Sequence, residues 1–434
     1  MPMLFKKLFY LLLPISSLLY AMSMEETVAL GLTYNQQLQS ADLQISLADE
    51  QKRESASRHF GKIEAVANYS HYNTPRTLFP LTPAAIATGA SKIATTQDLF
   101  SAGIHYQASL FSGYELQDTE AVAELQRKIA SLKYRLAREE LIFTIRSAYI
   151  DALGAQANAK AWEHYSEAME TLYSATKRMV SLGKKAEVEL LKVDAERLGS
   201  ETNAELFAAQ RESMVGLLTV LTGGTRPLIP LEDIPIVPSL QSLRDAASSS
   251  RIQINDLLID QTEKNEHKSH ASSLPQAGIE GYYGYSFGPN DPTNPYSGNW
   301  EHQELWNIGL NLQWNILDFG TSSAKQQQAR ILKIQQKHSK AHTVLQVEQD
   351  RREGTISFNT AKRRYELAKK EYALAQKTEE IETLRYQEGE ISMNDFLLQK
   401  AKTQMILSEM LSSRYALLKA YYILEYLYEQ GDTQ

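Results

Sequence analysis

The chain carries one pattern twice. A strand of alternating apolar and polar residues ends at a glycine and leads into a very long polar helix. The first copy covers residues 102–113, the second covers residues 306–320, and their closing glycines are 207 residues apart. Each long helix later meets another glycine, Gly183 or Gly389, and these two are 206 residues apart. An internal repeat of this length, half strand and half helix, constrains the architecture more than any single motif does.

The first residues have the features of a secretory signal peptide. Two lysines precede a mostly apolar run at 8–20 that is too short for an ordinary membrane span, and small residues follow at Ala21 and Ser23. We therefore expect residues 1–23 to be a signal peptide that is cleaved after Ala21 or after Ser23. The pattern indicates an exported protein.

Composition excludes several classes of protein. The chain has no cysteine, which excludes disulfides and a lipidated N-terminal cysteine. After the signal peptide no run of eighteen apolar residues predicts a transmembrane helix. The formal charge is −7, or −9 once the two signal-peptide lysines are removed, and basic residues do not cluster. A mildly acidic chain of this kind is not expected to bind nucleic acid.

Four segments alternate with one apolar and one polar face. We predict strands at 62–73, 99–111, 276–287 and 304–317. A tilted strand needs ~9–11 residues to cross a bilayer, whereas strands of globular sheets commonly have about five or six. Length, alternation and the abundance of Tyr and Trp favour outer-membrane barrel strands over an ordinary β-sandwich.

Four strands cannot close a membrane barrel, because the smallest such barrels have about eight. An open sheet edge in lipid leaves backbone N–H and C=O groups unpaired, at a cost of several kcal/mol each. The barrel must therefore be shared between chains. The strands themselves leave open whether two copies form eight strands or three copies form twelve.

The segments between the strands predict long helices. The runs 115–182 and 323–387 lack proline, and at 1.5 Å per residue each would extend for roughly 100 Å. Helices of this length are stable in water when they pack on one another as coiled coils. The predicted organisation is a first repeat at 24–221, a proline-rich linker at 222–238 and a second repeat at 239–434. Each repeat begins with a helix, at 24–58 and 239–265, and ends with a shorter return helix, to 221 and to about 429.

At this point the chain resembles the TolC family of outer-membrane efflux proteins, also called outer membrane factors. The resemblance rests on the doubled order of elements, on the Leu-Phe-Ser-Gly113 and Leu-Asp-Phe-Gly320 junctions, and on the Arg-x-x-x-Gly389 turn followed by Asp395. It implies an α+β membrane protein in which four strands per chain contribute to a twelve-stranded barrel shared by a homotrimer. The barrel would continue into a long α-helical coiled-coil barrel in the periplasm of a Gram-negative bacterium.

The resemblance also assigns roles to residues near the helix turns. In this family acidic residues just past the tip glycine line a constriction at the periplasmic entrance, and the matching positions here are Glu189 and Asp395. Tyr386 resembles a tyrosine that helps to hold the entrance shut. A second aspartate common in the family is replaced here by Leu398, so the resemblance does not imply a double acidic ring.

The same turns are the expected contacts for a periplasmic adaptor. The resemblance assigns this role to Gly183 and Gly389, with Arg178 and Arg385 beside them. The spacing from arginine to glycine is one residue longer in the first repeat than in the second. The resemblance also implies an inner-membrane pump and outer-membrane lipid as partners. It implies no cofactor.

Lone carboxylates such as Asp395 and Glu189 are commonly no more than solvated helix surface. Three copies around an axis would turn an inward-facing acid into a ring, which favours cations in a pore. We hypothesise that these acids make the entrance cation-selective and let multivalent cations block it. His338 and His342 have the i, i+4 spacing of a metal pair, but no third ligand accompanies them, and exposed helix surface is the simpler interpretation.

Catalytic motifs are missing from the sequence, and we do not expect an enzyme. The expected function is that of a passive duct which carries small molecules, such as drugs, toxic compounds or metal ions, out of the periplasm. Two alternatives stay open. The duct could serve a type I protein-secretion system, or the chain could be a structural coiled-coil rod.

Overall fold

The computed structural model describes residues 22–87, 89, 93–224, 231–234, 249–289 and 300–431. They form two compact units, and each repeat contributes to both. The helical unit comprises the described parts of Met1–Ala41, Tyr134–Ser250 and Leu345–Gln434. The sheet unit comprises those of Asp42–Lys133 and Arg251–Val344.

The elements follow the doubled order expected from the sequence. In the first repeat they are α1 (Met24–Tyr34), α2 (Gln36–Ser57), β1 (Lys62–Thr77), α3 (Pro83–Ala87), β2 (Thr95–Phe111), α4 (Glu115–Ser181) and α5 (Glu187–Leu221). In the second they are α6 (Ser250–Ser269), β3 (Gln276–Pro289), β4 (Trp300–Gln313), α7 (Thr321–Gln387) and α8 (Met393–Leu427). Among the described residues no helix is both long and apolar enough to cross a membrane.

The strands form one antiparallel sheet in the order β1-β2-β3-β4. Its register aligns Ala65, Ile104, Tyr283 and Trp306 in one row across the four strands. These residues belong to the apolar face, and their neighbours on β4 are mostly exposed, at 73% for Ile308 and 78% for Leu310. Among the described residues neither β1 nor β4 has a second neighbouring strand. The sheet thus presents an uncovered apolar face and two open edges.

All four strands extend beyond their predicted bounds at the ends opposite the helices. The strand predicted at 62–73 reaches Thr77, because an irregularity between His71 and Arg76 accommodates Pro75 within it. The strands predicted from 99 and from 304 begin at residues 95 and 300, and the one predicted to 287 ends at 289. The prediction that the last strand continues to 317 is wrong, because β4 ends at Gln313.

The single helix predicted at 24–58 is two helices that meet at Asn35. The backbone of Asn35 is extended, with φ −66° and ψ 120°, and this ends α1. Its side-chain oxygen accepts a hydrogen bond from the N–H of Leu38, and its amide group donates to the carbonyl of Leu221. Asn35 therefore caps the start of α2 and ties both helices to the end of α5.

Some predicted segments fall outside the described residues. They include residues 1–21 of the signal peptide and most of the linker at 222–238. The start of the helix predicted at 239–265 also lies outside, and the described helix α6 begins at Ser250.

The core of the helical unit packs α4 against α8. Ile145, Tyr149, Leu418 and Tyr421 are fully buried in it. Gly154, the interior glycine of α4, faces the ring of Tyr415, and an added Cβ would lie 3.3 Å from that ring. The glycine is needed because α8 approaches α4 closely at this level.

Candidate functional site

The turn between α4 and α5 is a glycine-ended helix terminus. Gly183 has φ +69°, which L-residues with a side chain rarely adopt. Its N–H donates to the carbonyl of Val180 at 2.9 Å, and the N–H of Lys184 donates to that of Met179 at 2.9 Å. This pair of hydrogen bonds is the Schellman arrangement, which satisfies the last helix carbonyls.

The turn between α7 and α8 repeats the same geometry. Gly389 has φ +84°. Its N–H donates to the carbonyl of Tyr386 at 3.1 Å, and the N–H of Glu390 donates to that of Arg385 at 2.8 Å. The repeat seen in the sequence is therefore also a repeat of backbone hydrogen bonds.

The predicted acids occupy equivalent places in the two following helices. Glu189 is the third residue of α5, and Asp395 is the third residue of α8. The Asp395 N–H donates to the Ser392 hydroxyl at 3.2 Å, and that hydroxyl lies 2.7 Å from the Asp395 carboxylate. Asp395 is exposed, and both acids lie where the partial positive charge of a helix N-terminus favours them.

Lys185 links the turn of the first repeat to that of the second. Its ammonium forms an ion pair with Glu189 at 3.2 Å and donates to the hydroxyl of Tyr386. It also lies 4.9 Å from the centre of the Tyr386 ring. Burial alone would lower the pKa of Lys185, but its contacts with Tyr386 and Glu189 raise the pKa above its ordinary value. The ammonium therefore stays charged in this contact.

The Tyr386 ring is held from its other side. It stacks on Phe396 with the ring centres 4.5 Å apart and the planes 7° from parallel. Phe396 belongs to a buried apolar cluster with Trp162, Met169 and Val193. Tyr386 thus lies between an apolar core and the Lys185 cation.

The two predicted arginines differ in their surroundings. Arg385 forms ion pairs with Glu382 at 3.0 Å and Glu390 at 3.3 Å. The hydrogen bonds that its guanidinium donates to these carboxylates, the one to Glu390 first, raise the pKa of Arg385. Arg178 is exposed, and its carbonyl accepts from the N–H of Leu182 at 3.1 Å. Because the turns correspond glycine to glycine, Arg385 matches Met179 and the arginines are not equivalent.

A groove of about 850 Å³ lies between α4, α7 and α8, next to the turns. Its wall includes an ion pair between Lys400 and Glu379 at 2.8 Å. Gln404, which is 7% exposed, also lines it, and its amide nitrogen has no hydrogen-bond partner among the described residues. The remaining lining combines alanine, leucine and tyrosine with polar and charged side chains, among them Lys160, His164 and Glu380.

Sequence reasoning did not identify Lys185, Phe396 or Ser392. Two of them have a local signal, since Lys185 precedes Glu189 by four residues and Ser392 precedes Asp395 by three. These spacings fit a helical ion pair and an N-cap. The contact of Lys185 with Tyr386 has no signal of this kind, because 201 residues separate them.

The histidine pair has exposed surroundings. His338 and His342 lie on the exposed surface of α7. Within the described residues no group of three or more His, Cys, Asp or Glu is placed to hold a metal ion. Leu398, at the position of the family's second aspartate, is 66% exposed on α8.

Comparison with known proteins gives a family match and a curated relative. Residues 30–224 match the model of the family described as outer membrane efflux protein. The outer membrane protein TolC of Vibrio cholerae is 24% identical over 242 residues, which are 54% of this chain and 54% of TolC. The chain thus matches about half the length of this curated relative.

Solved structures share the fold over nearly the whole chain. The CmeC outer membrane channel of Campylobacter jejuni has a TM-score of 0.76 and 17% identity, covering 94% of this chain and 86% of CmeC. The MtrE outer membrane channel of Neisseria gonorrhoeae, in its open state, has a TM-score of 0.75 and 18% identity, covering 95% and 90%. A membrane protein of Pseudomonas aeruginosa has a TM-score of 0.78 and 15% identity, covering 93% of both chains.

The resemblance to the TolC family is thereby confirmed, as is the α+β class with a small antiparallel sheet and long helices. The expected location in the outer membrane is also confirmed. The matched family consists of efflux proteins and not of enzymes, as the sequence indicated.

Proposed function

We propose that this chain, a TolC-like outer-membrane efflux protein by its family match and its fold, forms the exit duct of a tripartite efflux system. Small molecules would pass through it from the periplasm to the outside without an energy source of its own. One observation carries the proposal. The sheet has an exposed apolar face and two open edges, and it is continuous in sequence with two 67-residue helices.

Open edges in lipid demand further copies of the chain. Three copies would close twelve strands in the outer membrane and bring six helix turns together at the periplasmic end. The outcome is a homotrimeric channel. Purified protein added to a planar lipid bilayer should give discrete conductance steps, whereas an oligomer that inserts without conducting would favour the structural rod.

The entrance of the duct is assigned to the two helix turns. Glu189 and Asp395 would line it, and the contact between Lys185 and Tyr386 would hold the two turns together in the closed state. Support comes from the shared Lys185 cation, which binds an acid of the first repeat and the tyrosine of the second. Loss of this contact should open the entrance and raise the conductance.

Single-channel recording tests this link. Lys185→Met and Tyr386→Phe should each raise the conductance, and the double variant should exceed neither by much, because both remove one contact. Lys184→Met removes the same charge from an exposed neighbouring position and serves as the matched control. Additive effects of Lys185→Met and Tyr386→Phe, or an equal effect of Lys184→Met, would contradict the link.

The acidic residues have a separate test. Asp395→Asn retains the hydrogen bond with Ser392 and removes the charge, so the helix start should survive. We expect a weaker cation preference and weaker block by multivalent cations, in line with acidic rings in other pores. An unchanged preference and an unchanged block would remove Asp395 from the proposed ring.

We assign docking of a periplasmic adaptor, itself coupled to an inner-membrane pump, to the helix turns at Gly183 and Gly389 with Arg178 and Arg385. The neighbouring groove between α4, α7 and α8 supports a helical partner, because apolar grooves of this kind receive amphipathic helices.

In a strain deleted for this gene, the chain should restore resistance to toxic compounds. Arg385→Ala should lower resistance while the purified channel still conducts. Loss of a secreted protein instead of resistance in the deletion strain would identify a type I secretion duct.

A further inference from the structure

The polar face of the sheet contains a pair of glycines directly opposite each other. The register of β2 and β3 aligns Gly103 with Gly284. The next row on the same face, two residues along each strand, aligns His105 with Tyr282. Because side chains alternate between the two faces along a strand, both rows lie on the face opposite Ile104 and Tyr283. In a shared barrel this polar face lines the lumen.

The Tyr282 side chain lies against this glycine pair. A Cβ added to Gly103 would come 2.8 Å from a ring carbon of Tyr282, and one added to Gly284 would come 2.5 Å from the Tyr282 hydroxyl oxygen. The same Cβ atoms would also meet the backbone of the neighbouring strand, at 2.6 Å from the Tyr283 carbonyl oxygen and 2.5 Å from the Ala102 carbonyl oxygen. All these distances are shorter than real Cβ atoms tolerate. The two glycines therefore form a recess against which the tyrosine side chain lies.

A second contact of the same kind occurs on the same face. Glu280 on β3 lies along Gly309 on β4, and a Cβ there would approach its carboxylate oxygen to 3.3 Å. The strand glycines fall largely on this polar face, at 103, 278, 284, 288 and 309, whereas Gly281 lies on the apolar face. The wall is thus built so that long side chains lie along it.

We propose that the recess formed by Gly103 and Gly284 holds Tyr282 against the barrel wall and thereby sets the width of the lumen at this level. Without the recess, three tyrosine rings would project into the duct, one from each copy. The cargo affected is a bulky molecule, since small ions pass beside a projecting ring. This inference rests on the proposed function as a duct.

Polymer exclusion in a planar bilayer tests the proposal. Polyethylene glycols of graded size are added on the side of the outer mouth, and the largest size that still enters and lowers the conductance is recorded. Gly103→Ala should reduce this size limit, because its Cβ displaces the Tyr282 ring as well as pressing on the β3 backbone. Gly278→Ala is the matched control on the same face, since its Cβ would meet a single atom, a carbonyl oxygen at 3.3 Å.

Two further variants separate ring displacement from damage to the sheet. In Gly103→Ala/Tyr282→Ala the size limit should return to that of the unmodified protein. A limit as low as that of Gly103→Ala alone would overturn the proposal, as would an unchanged limit in Gly103→Ala itself. Tyr282→Ala alone leaves both glycines in place, so it remains informative where Gly103→Ala does not assemble. Its limit should stay close to that of the unmodified protein, and a large increase would show that the ring already stood in the lumen.

The duct and the recess fail in different ways. Absence of channels from the unmodified protein would overturn the duct, and with it the premise of this inference. Channels whose polymer size limit is unchanged by the glycine substitutions would overturn the recess alone.

Discussion

At the residue scale, Met22 and Ser23 are integrated into the fold. The Met22 carbonyl accepts a hydrogen bond from the Tyr149 hydroxyl at 2.7 Å, and Met22 is 9% exposed. Ser23 and Glu26 form a reciprocal capping box at the start of α1. Removal of the Ser23 cap would cost about 1 kcal/mol.

We therefore predict that the signal peptide is cleaved after Ala21, so that the mature protein begins at Met22. Cleavage after Ser23 would delete both the cap and the bond to Tyr149. N-terminal sequencing of protein purified from the outer membrane checks this directly. A mature chain that begins at Met24 would contradict it.

A second residue-scale feature is the buried ion pair between Arg146 and Glu425 in the helical unit. The side chains are 5% and 3% exposed, and Arg146 also packs over the Tyr422 ring at 5.0 Å. Burial raises the pKa of Glu425 to about 7, against the lowering effect of Arg146, and the nearby Glu139 adds to the rise. Burial also raises the pKa of Glu139, although the N–H of Gly431 donates to its carboxylate at 2.9 Å.

The sign of the pH dependence follows from these pKa values. Between pH 4.5 and about 7 the folded protein binds more protons at Glu425 than the unfolded chain does, so this site stabilises the fold most at low pH and loses that effect as pH rises. The change is on the order of 3 kcal/mol. Glu425→Gln should flatten the free energy of unfolding between pH 5 and pH 8, measured by urea titration. An equally steep profile in the variant would assign the pH dependence to other groups.

At the element scale, the sequence predicts the long helices and strands well because their signals are local. The absence of proline defines α4 and α7, and alternation defines the strand faces. The ends of helices and strands depend on contacts with residues far away in the sequence, and the alternation of residues does not predict such contacts. Asn35 ends α1 by bonding Leu221, which is 186 residues away, and the indole N–H of Trp314 donates to the carbonyl of Ser273 just beyond the end of β4.

The helix turns give a prediction at this scale. Gly183→Ala and Gly389→Ala should each destabilise the protein by about 1 kcal/mol, because both positions have positive φ. Gly199→Ala is the matched control inside α5, where an added Cβ meets no atom within 4 Å. It should stabilise by roughly 0.5–1 kcal/mol through helix propensity. Urea unfolding followed by circular dichroism compares the three, and equal signs for all of them would contradict the assignment of the turns.

At the scale of the whole molecule, the duplication places the candidate site but leaves its contacts undetermined. Matching positions put Glu189 and Asp395 at the same place in two helices, and this is readable from spacing alone. The difference in contacts between the two repeats cannot be predicted from the spacing. Lys185 bonds across to Tyr386, whereas Asp395 is held by its own Ser392, and such differences arise only when the two repeats pack together.

The number of copies is the remaining property of the whole assembly, and the open sheet edges make it testable. The chain has no cysteine, so any cross-link through a thiol must come from the introduced cysteines. Asn68→Cys on β1 is combined in turn with cysteine at Gln303, Asn307 or Asn311 on β4, all on the polar face. Because β1 of one copy should pair with β4 of the next, a short bis-maleimide should give a ladder of covalent dimers and trimers that ends at the trimer. The single-cysteine variants control for collisions. A ladder that ends at the dimer would indicate an eight-stranded barrel, and a link confined to one chain would mean that the sheet closes on itself.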